Sequence, residues 1–235
     1  MILKVKAVLF DLGGTLVSTA SPPEIIGRIL EKYGVKRAIS EIALAHEAAE
    51  ESMKLEDYRL TYYEFWIKWN KIILERLGIH ENADFLSRVL VDEWWDNANV
   101  EPYPDAANAL IGLKGAGMKI GIITNAFMKD VEEILARAEL PRVFDILVGI
   151  DSVGKPKPHP EIFLYAIRAL GIRPNEALFV GDSLEKDYFG ALNSGLKAIL
   201  LDRKGEFGNK YGLIRIEDLR RLLEIVEGSK NRYSN

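Results

Sequence analysis

Three aspartates, a threonine and a lysine stand out in this chain because of where they fall. Asp11 directly follows the apolar run Val5–Phe10, Thr124 and Asn125 close the run that begins at Lys119, and Asp182 follows Ala177–Gly181. Asp187 comes shortly after Asp182, and Lys157 is set between Pro156 and Pro158. A carboxylate is an oxygen nucleophile and a ligand for hard cations. It can approach an anionic phosphoryl group only if positive charge neutralises both partners. A lysine supplies such charge, and a Mg²⁺ ion held by one or two carboxylates, water and substrate oxygens supplies more. Each residue also has a plainer reading. An aspartate at a strand end often forms a turn or caps a helix, Gly181-Asp182-Ser183 included. Lys155 competes with Lys157 for any role as the fixed cation.

The elements that must position these residues are legible in the pattern. The apolar runs at Val5–Phe10, Lys119–Thr124, Phe144–Gly149, Ala177–Gly181 and Lys197–Leu201 read as buried strands. Helical stretches alternate with them at Asp105–Gly117, Lys129–Ala138, Pro160–Gly171, Lys186–Ser194 and about Ile216–Glu227. That alternation predicts an α/β fold, a doubly wound and mainly parallel sheet covered on both faces. In such sheets ligands bind beyond the carboxyl ends of the strands, where Asp11, Thr124 and Asp182 all stand. Between the first two strands the rhythm is helical: a helix from Ser21-Pro22-Pro23-Glu24 to near Gly34, then Glu41–Lys54, Tyr62–Leu77 and Ala83–Trp95. The expected organisation is a core of residues 1–17 and 98–228, an inserted helical domain at 18–97, and a flexible tail at 229–235.

The chain has 235 residues, 48% hydrophobic and 28% charged, with 31 Lys and Arg against 35 Asp and Glu. This suits a compact protein, and the mild negative balance gives no footprint for nucleic acid. There is no cysteine, so disulfides, thiolate zinc sites and a cysteine nucleophile are excluded. The short apolar N-terminus does not read as a signal peptide or a membrane span, and a cytoplasmic location is the expectation.

Four stretches together resemble the motifs of the haloacid dehalogenase-like superfamily: Phe10-Asp11-Leu12-Gly13-Gly14-Thr15-Leu16, Ile122-Ile123-Thr124-Asn125, Lys157-Pro158-His159-Pro160-Glu161-Ile162-Phe163, and Val180-Gly181-Asp182-Ser183 with Asp187. They occur in the family's order, and the inserted helices resemble its cap domain. The resemblance implies a Rossmann-like core and hydrolysis of a phosphorylated small molecule through an aspartyl-phosphate on Asp11. It implies Mg²⁺ held by Asp11, the backbone carbonyl of Gly13, and Asp182, with Asp187 and Ser183 supporting that shell. Thr124, Asn125, Lys157 and Gly14 would meet the phosphate, and Lys157 would hold Asp11 and phosphate together. Tyr58, in a polar break between inserted helices, is a candidate substrate contact.

One position departs from the pattern. Phosphatases of this family usually carry a second aspartate two residues after the nucleophile, as general acid and base, and here that residue is Gly13. Such help is typically worth about 10²–10⁴-fold in rate. Three other readings therefore stay open: a 2-haloacid dehalogenase, a phosphonate hydrolase using Lys54, Lys68 or Lys71, and a catalytically weak ligand-binding relative. Retention of Asp182 argues against the first. His46, in the inserted segment, reads as an ordinary helix residue rather than a substitute acid. Most aromatics of that segment (Tyr62, Tyr63, Phe65, Trp66, Trp69, Trp94 and Trp95) are expected to pack between helices. Neither the natural substrate nor the oligomeric state is readable, and no nucleic-acid or membrane partner is expected.

Overall fold

The computed structural model describes residues 5–208 and 212–227. The tail expected at 229–235 lies outside the described residues. The chain divides into two compact units: residues 19–100, and the flanking stretches up to Ser18 and from Glu101. The sheet unit opens with β1 (Ala7–Phe10) and the two-residue strand β2 (Val17–Ser18). The helical unit holds α1 (Pro22–Lys32), α2 (Ile39–Ser52), α3 (Tyr62–Arg76), α4 (Ala83–Asp92) and α5 (Trp94–Asn97), with a 3-10 turn at Asp57–Arg59. The sheet unit resumes with β3 (Glu101–Pro102), α6 (Ala106–Gly115), β4 (Lys119–Ile123), α7 (Met128–Ala138), β5 (Ile146–Val148), α8 (Pro160–Leu170) and β6 (Ala177–Gly181). A π-helical turn, Leu184–Phe189, runs into α9 (Gly190–Asn193), followed by β7 (Lys197–Leu201), β8 (Arg215–Ile216) and α10 (Arg221–Glu227).

The helical unit has its own core. Ile25, Ile26, Ile29 and Leu30 recur along one face of α1, and Phe65, Trp69, Ile73 and Leu74 along one face of α3; all are buried. Glu24 accepts from the Ser21 N–H and hydroxyl, so the expected start of α1 is a real cap. Buried Asn70 stitches α3 to α4 by donating to the Ser87 carbonyl at 3.0 Å. Among the described residues, no helix is long and apolar enough to cross a membrane.

Six strands form one sheet in the order β5-β4-β1-β6-β7-β8, and every pairing in it is parallel. All four residues of β1 are buried, which explains why it reads as an unbroken apolar run rather than an alternating one. β1 is the switch point. The chain winds outward to β4 and β5 on one side of it, and to β6, β7 and β8 on the other. Phe10 is level with both Ile122 and Val180, so the residues just beyond these three strands share one crevice.

Several expectations are corrected here. The last helix does not begin at Ile216. Arg215–Ile216 is an unexpected strand, because Asp202 N–H donates to the Ile216 carbonyl and draws it into the sheet beside β7. The helix expected over Ala83–Trp95 breaks at Glu93, whose carbonyl is taken by the Asn97 side chain at 2.7 Å. The helix expected from Lys186 begins instead as a wide π turn, with Tyr188 N–H reaching back to the Ser183 carbonyl. β2 and β3 pair antiparallel, Val17 with Pro102 and Ser18 with Glu101, and are too short to leave a pattern.

Gly121 shows how tightly the sheet is packed. A Cβ there would lie 2.5 Å from the Ile146 side chain and 2.8 Å from that of Leu9. Gly121→Ala is therefore expected to destabilise the protein by about 1–3 kcal/mol, read as a lower midpoint in urea unfolding.

Candidate active site

Every residue of the candidate site described next lies in the sheet unit. Asp11 sits where β1 ends, its N–H donating to the Val180 carbonyl at 2.9 Å. Thr124 N–H donates to Val148, and the Thr124 hydroxyl accepts from Ala126 N–H at 3.3 Å. Lys157 is presented just ahead of α8, which starts with His159 accepting from Glu161 N–H and Pro160 in its first turn. The lysine that reaches Asp11 is Lys157: its Nζ lies 2.6 Å from Asp11 Oδ1 and 2.7 Å from Asp187 Oδ1. Lys155 instead pairs with Glu161. Asp11, Lys157 and Asp187 are only 8%, 4% and 1% exposed, so this is a charge cluster out of water.

The supporting contacts were not foreseen. Asn125 does not stand free at the strand end. Its Oδ1 accepts from Lys157 N–H at 2.7 Å and its Nδ2 donates to the Lys157 carbonyl at 3.0 Å. The amide thus grips the lysine's main chain from both sides. The second oxygen of Asp187 accepts from Ser183 N–H at 3.0 Å, while the Ser183 hydroxyl accepts from Lys186 N–H and starts the π turn. Gly181 makes room for this arrangement, since a Cβ there would fall 2.4 Å from the Asp187 carboxyl carbon. Gly14 does the same for Asp182: its φ is +78°, and a Cβ would fall 2.3 Å from Asp182 Oδ2. Gly13 is different. It has no positive φ, and a Cβ would meet nothing within 4 Å. Neither backbone nor space requires glycine there. Tyr58 belongs to the helical unit, where its ring packs on Phe65 at 5.3 Å between centroids. His46 packs edge-on against Trp69 in the same unit.

The electrostatics follow from burial. Burial raises the Asp11 pKa to about 7, with the neighbouring carboxylates of Asp187 and Asp182 adding to the rise and Lys157 opposing it. Asp182 reaches solvent along part of its side chain. The protein atoms crowding it and the charge of Asp187 still push it up, against the pull of Lys157 and Arg203. Burial alone would lower Lys157, but Asp11 and Asp187 outweigh it and hold the ammonium above the ordinary lysine value. Asp11, Asp182 and Asp187 each offer an oxygen within 4.8 Å of the others. Three crowded carboxylates facing one lysine form an all-oxygen donor set short of positive charge. That is the chemistry that takes a hard divalent cation.

Residues 5–195 match the family model described as haloacid dehalogenase-like hydrolase. A glyceraldehyde 3-phosphate phosphatase from Methanopyrus kandleri is 30% identical over 207 residues, 86% of each chain. The pyrophosphatase PpaX of Bacillus cereus is 31% identical over 206 residues, covering 83% of this chain and 82% of its own. Among solved structures, a HAD phosphatase from Thermococcus onnurineus superposes with a TM-score of 0.68 at 28% identity, covering 95% of this chain and 99% of its own.

Two outcomes are expected. Gly14→Ala carries both backbone strain and a clash with Asp182, and costs about 1–3 kcal/mol, whereas Gly13→Ala leaves the melting temperature unchanged. In metal-free protein, Asp11 contributes stability below its ordinary pKa of 3.8 that is lost as pH rises through about 7. Asp11→Asn should therefore melt higher than wild type at pH 8, with the gap closing on acidification towards pH 4. Mg²⁺ should raise the wild-type melting temperature more than the variant's. Calorimetry checks both.

Proposed function

The chain belongs to the haloacid dehalogenase-like hydrolase family, and on that premise we propose that it is a Mg²⁺-dependent phosphoric monoester hydrolase working through Asp11. The observation that carries this reading is the Asp11 carboxylate held 2.6 Å from a buried lysine and clustered with two further aspartates. Asp11, the Gly13 carbonyl and Asp182 would hold Mg²⁺, which when bound neutralises the nucleophile and the phosphoryl oxygens. An Asp11 oxygen attacks phosphorus, the bond from phosphorus to the leaving oxygen breaks, and an aspartyl-phosphate forms. Water then attacks that phosphorus, the bond to Asp11 breaks, and inorganic phosphate leaves. Lys157 offsets charge on Asp11 and the phosphoryl group, while Asn125 and Asp187 fix its main chain and its ammonium. The Thr124 hydroxyl and the amides after it bind the remaining phosphoryl oxygens, and Gly14 lets the turn after Asp11 pass close to Asp182. The helical unit corresponds to the family's cap.

The substrate is a small phosphorylated molecule, a reading supported by relatives named as phosphatases. Gly13 narrows the class. Without an acid at that position, an alkoxide leaves slowly, while phosphate, carboxylate or phenolate leaving groups need no proton. Anhydrides and activated esters are thus the substrates this site hydrolyses best. The phosphonate route requires a neutral cap lysine; of its three candidates, Lys68 and Lys71 are in ion pairs, with Asp57 and Asp84, and Lys54 is exposed.

Wild-type protein with Mg²⁺ should hydrolyse p-nitrophenyl phosphate, and Asp11→Asn or chelation should abolish turnover. Gly13→Asp should raise the rate on an alkyl phosphate by about tenfold or more and change p-nitrophenyl phosphate turnover little. A folded wild-type protein inert towards phosphate esters and anhydrides with every divalent metal would refute the proposal.

A further inference from the structure

Arg203, in the loop after β7, was not among the residues the sequence singled out. Its Nη2 donates to the Thr15 carbonyl at 2.8 Å and to Asp105 Oδ1 at 3.0 Å, and its Nη1 to Asp105 Oδ2 at 2.9 Å. The guanidinium lies over the Tyr103 ring, 3.8 Å from its centroid. Asp105 is buried where β3 leads into α6, and its Oδ2 also accepts from Leu219 N–H at 2.9 Å. Arg203 and Asp105 together therefore join the turn after Asp11, the segment between β3 and α6 and the segment leading to α10.

The turn itself explains why that tie matters. From Asp11 to Val17 the backbone is wound on itself: Leu16 N–H and Val17 N–H both donate to the Leu12 carbonyl, and Gly14 N–H donates to Val17. This winding sets where the Asp11 carboxylate points and how Gly14 passes Asp182. It leaves the Thr15 carbonyl directed to Arg203. Among the described residues, the buried side-chain polar atoms without a partner are Thr15 Oγ1 and Arg203 Nε, both in this one network. An arrangement built for stability alone would satisfy them, because an unmatched buried donor is unfavourable.

We propose that Arg203 is a positioning residue that pins the Asp11–Val17 turn, through the Thr15 carbonyl, to buried Asp105, and so sets the nucleophile against Asp182. Its catalytic consequence rests on the phosphatase reading; the pinning does not. A lysine cannot reproduce the clamp, because the work is done by a planar fork reaching two acceptors at once.

Hydrogen exchange and steady-state kinetics on Arg203→Lys and Arg203→Met test this, with Arg137→Met as a control that removes a surface ion pair with Glu133. In both Arg203 variants, amides of residues 12–18 should lose protection while those of β6 and β7 keep it. With Mg²⁺ and p-nitrophenyl phosphate, kcat should fall about tenfold or more with KM little changed, and the control should match wild type. Unchanged exchange at 12–18, an even rise across the whole sheet, or an unaltered kcat would each overturn the proposal. If wild-type protein hydrolyses no phosphate compound, the phosphatase reading fails and the exchange pattern still decides the pinning.

Discussion

The site hangs on one ammonium group placed out of water between two carboxylates. An isolated charge in Lys157's position would be very unfavourable, and Asp11 and Asp187 both stand against it. Lys157 therefore constrains its surroundings. Its main chain is gripped by Asn125 from the end of β4, and its Nζ by Asp11 from β1 and Asp187 from the turn after β6. Three neighbouring strands are thus coupled through one side chain. The Phe179 ring of β6 lies 5.2 Å from the ammonium and contributes a further weak attraction.

The backbone accommodates that cluster with glycines rather than with flexible loops. Gly181 clears the approach of Asp187 and Gly14 that of Asp182, so two of the three carboxylates are seated where a side chain is missing. The π turn at Leu184–Phe189 belongs to the same economy of space. Its wider winding begins at Ser183, whose N–H holds Asp187 inward, and local widening of this kind is often found at functional positions. The result is a cluster in which Lys157, Asp11 and Asp187 are held by hydrogen bonds from several strands.

Much of the sheet was legible in the chain because its strands are buried on both faces. Ala177–Gly181 and Lys197–Leu201 were read to the residue, being apolar runs bounded by polar punctuation. Elements made by tertiary pairing alone were not. β2, β3 and β8 are two residues each, and nothing local marks Arg215–Ile216 as a strand before β7 is beside it. The site divides in the same way. Asp11, Thr124 and Asp182 are picked out by standing just past strand ends, whereas Asp187, six residues beyond β6, is picked out only by the family resemblance. The spacing to Pro158, Pro160 and Phe163 already favours Lys157 over Lys155, whereas the grip of Asn125 and the tie from Arg203 to Thr15 depend on distances between segments far apart in sequence. No periodicity encodes those. The difference between Gly13 and Gly14 is likewise invisible in the letters, since only the backbone angle and the atoms around each show that one is obligatory and the other is not.

That difference has an evolutionary side. Glycine and aspartate codons can differ by a single base, and at Gly13 an added Cβ meets nothing within 4 Å. Under the proposed phosphatase reading, a proton-donating side chain at this position would therefore be a detachable part, one whose Cβ the packed core does not oppose. At Gly14, where the same base change would drive a side chain into Asp182, the fold itself acts as the purifying filter. Adjacent letters of one motif thus evolve under separate rules, chemistry governing one and geometry the other.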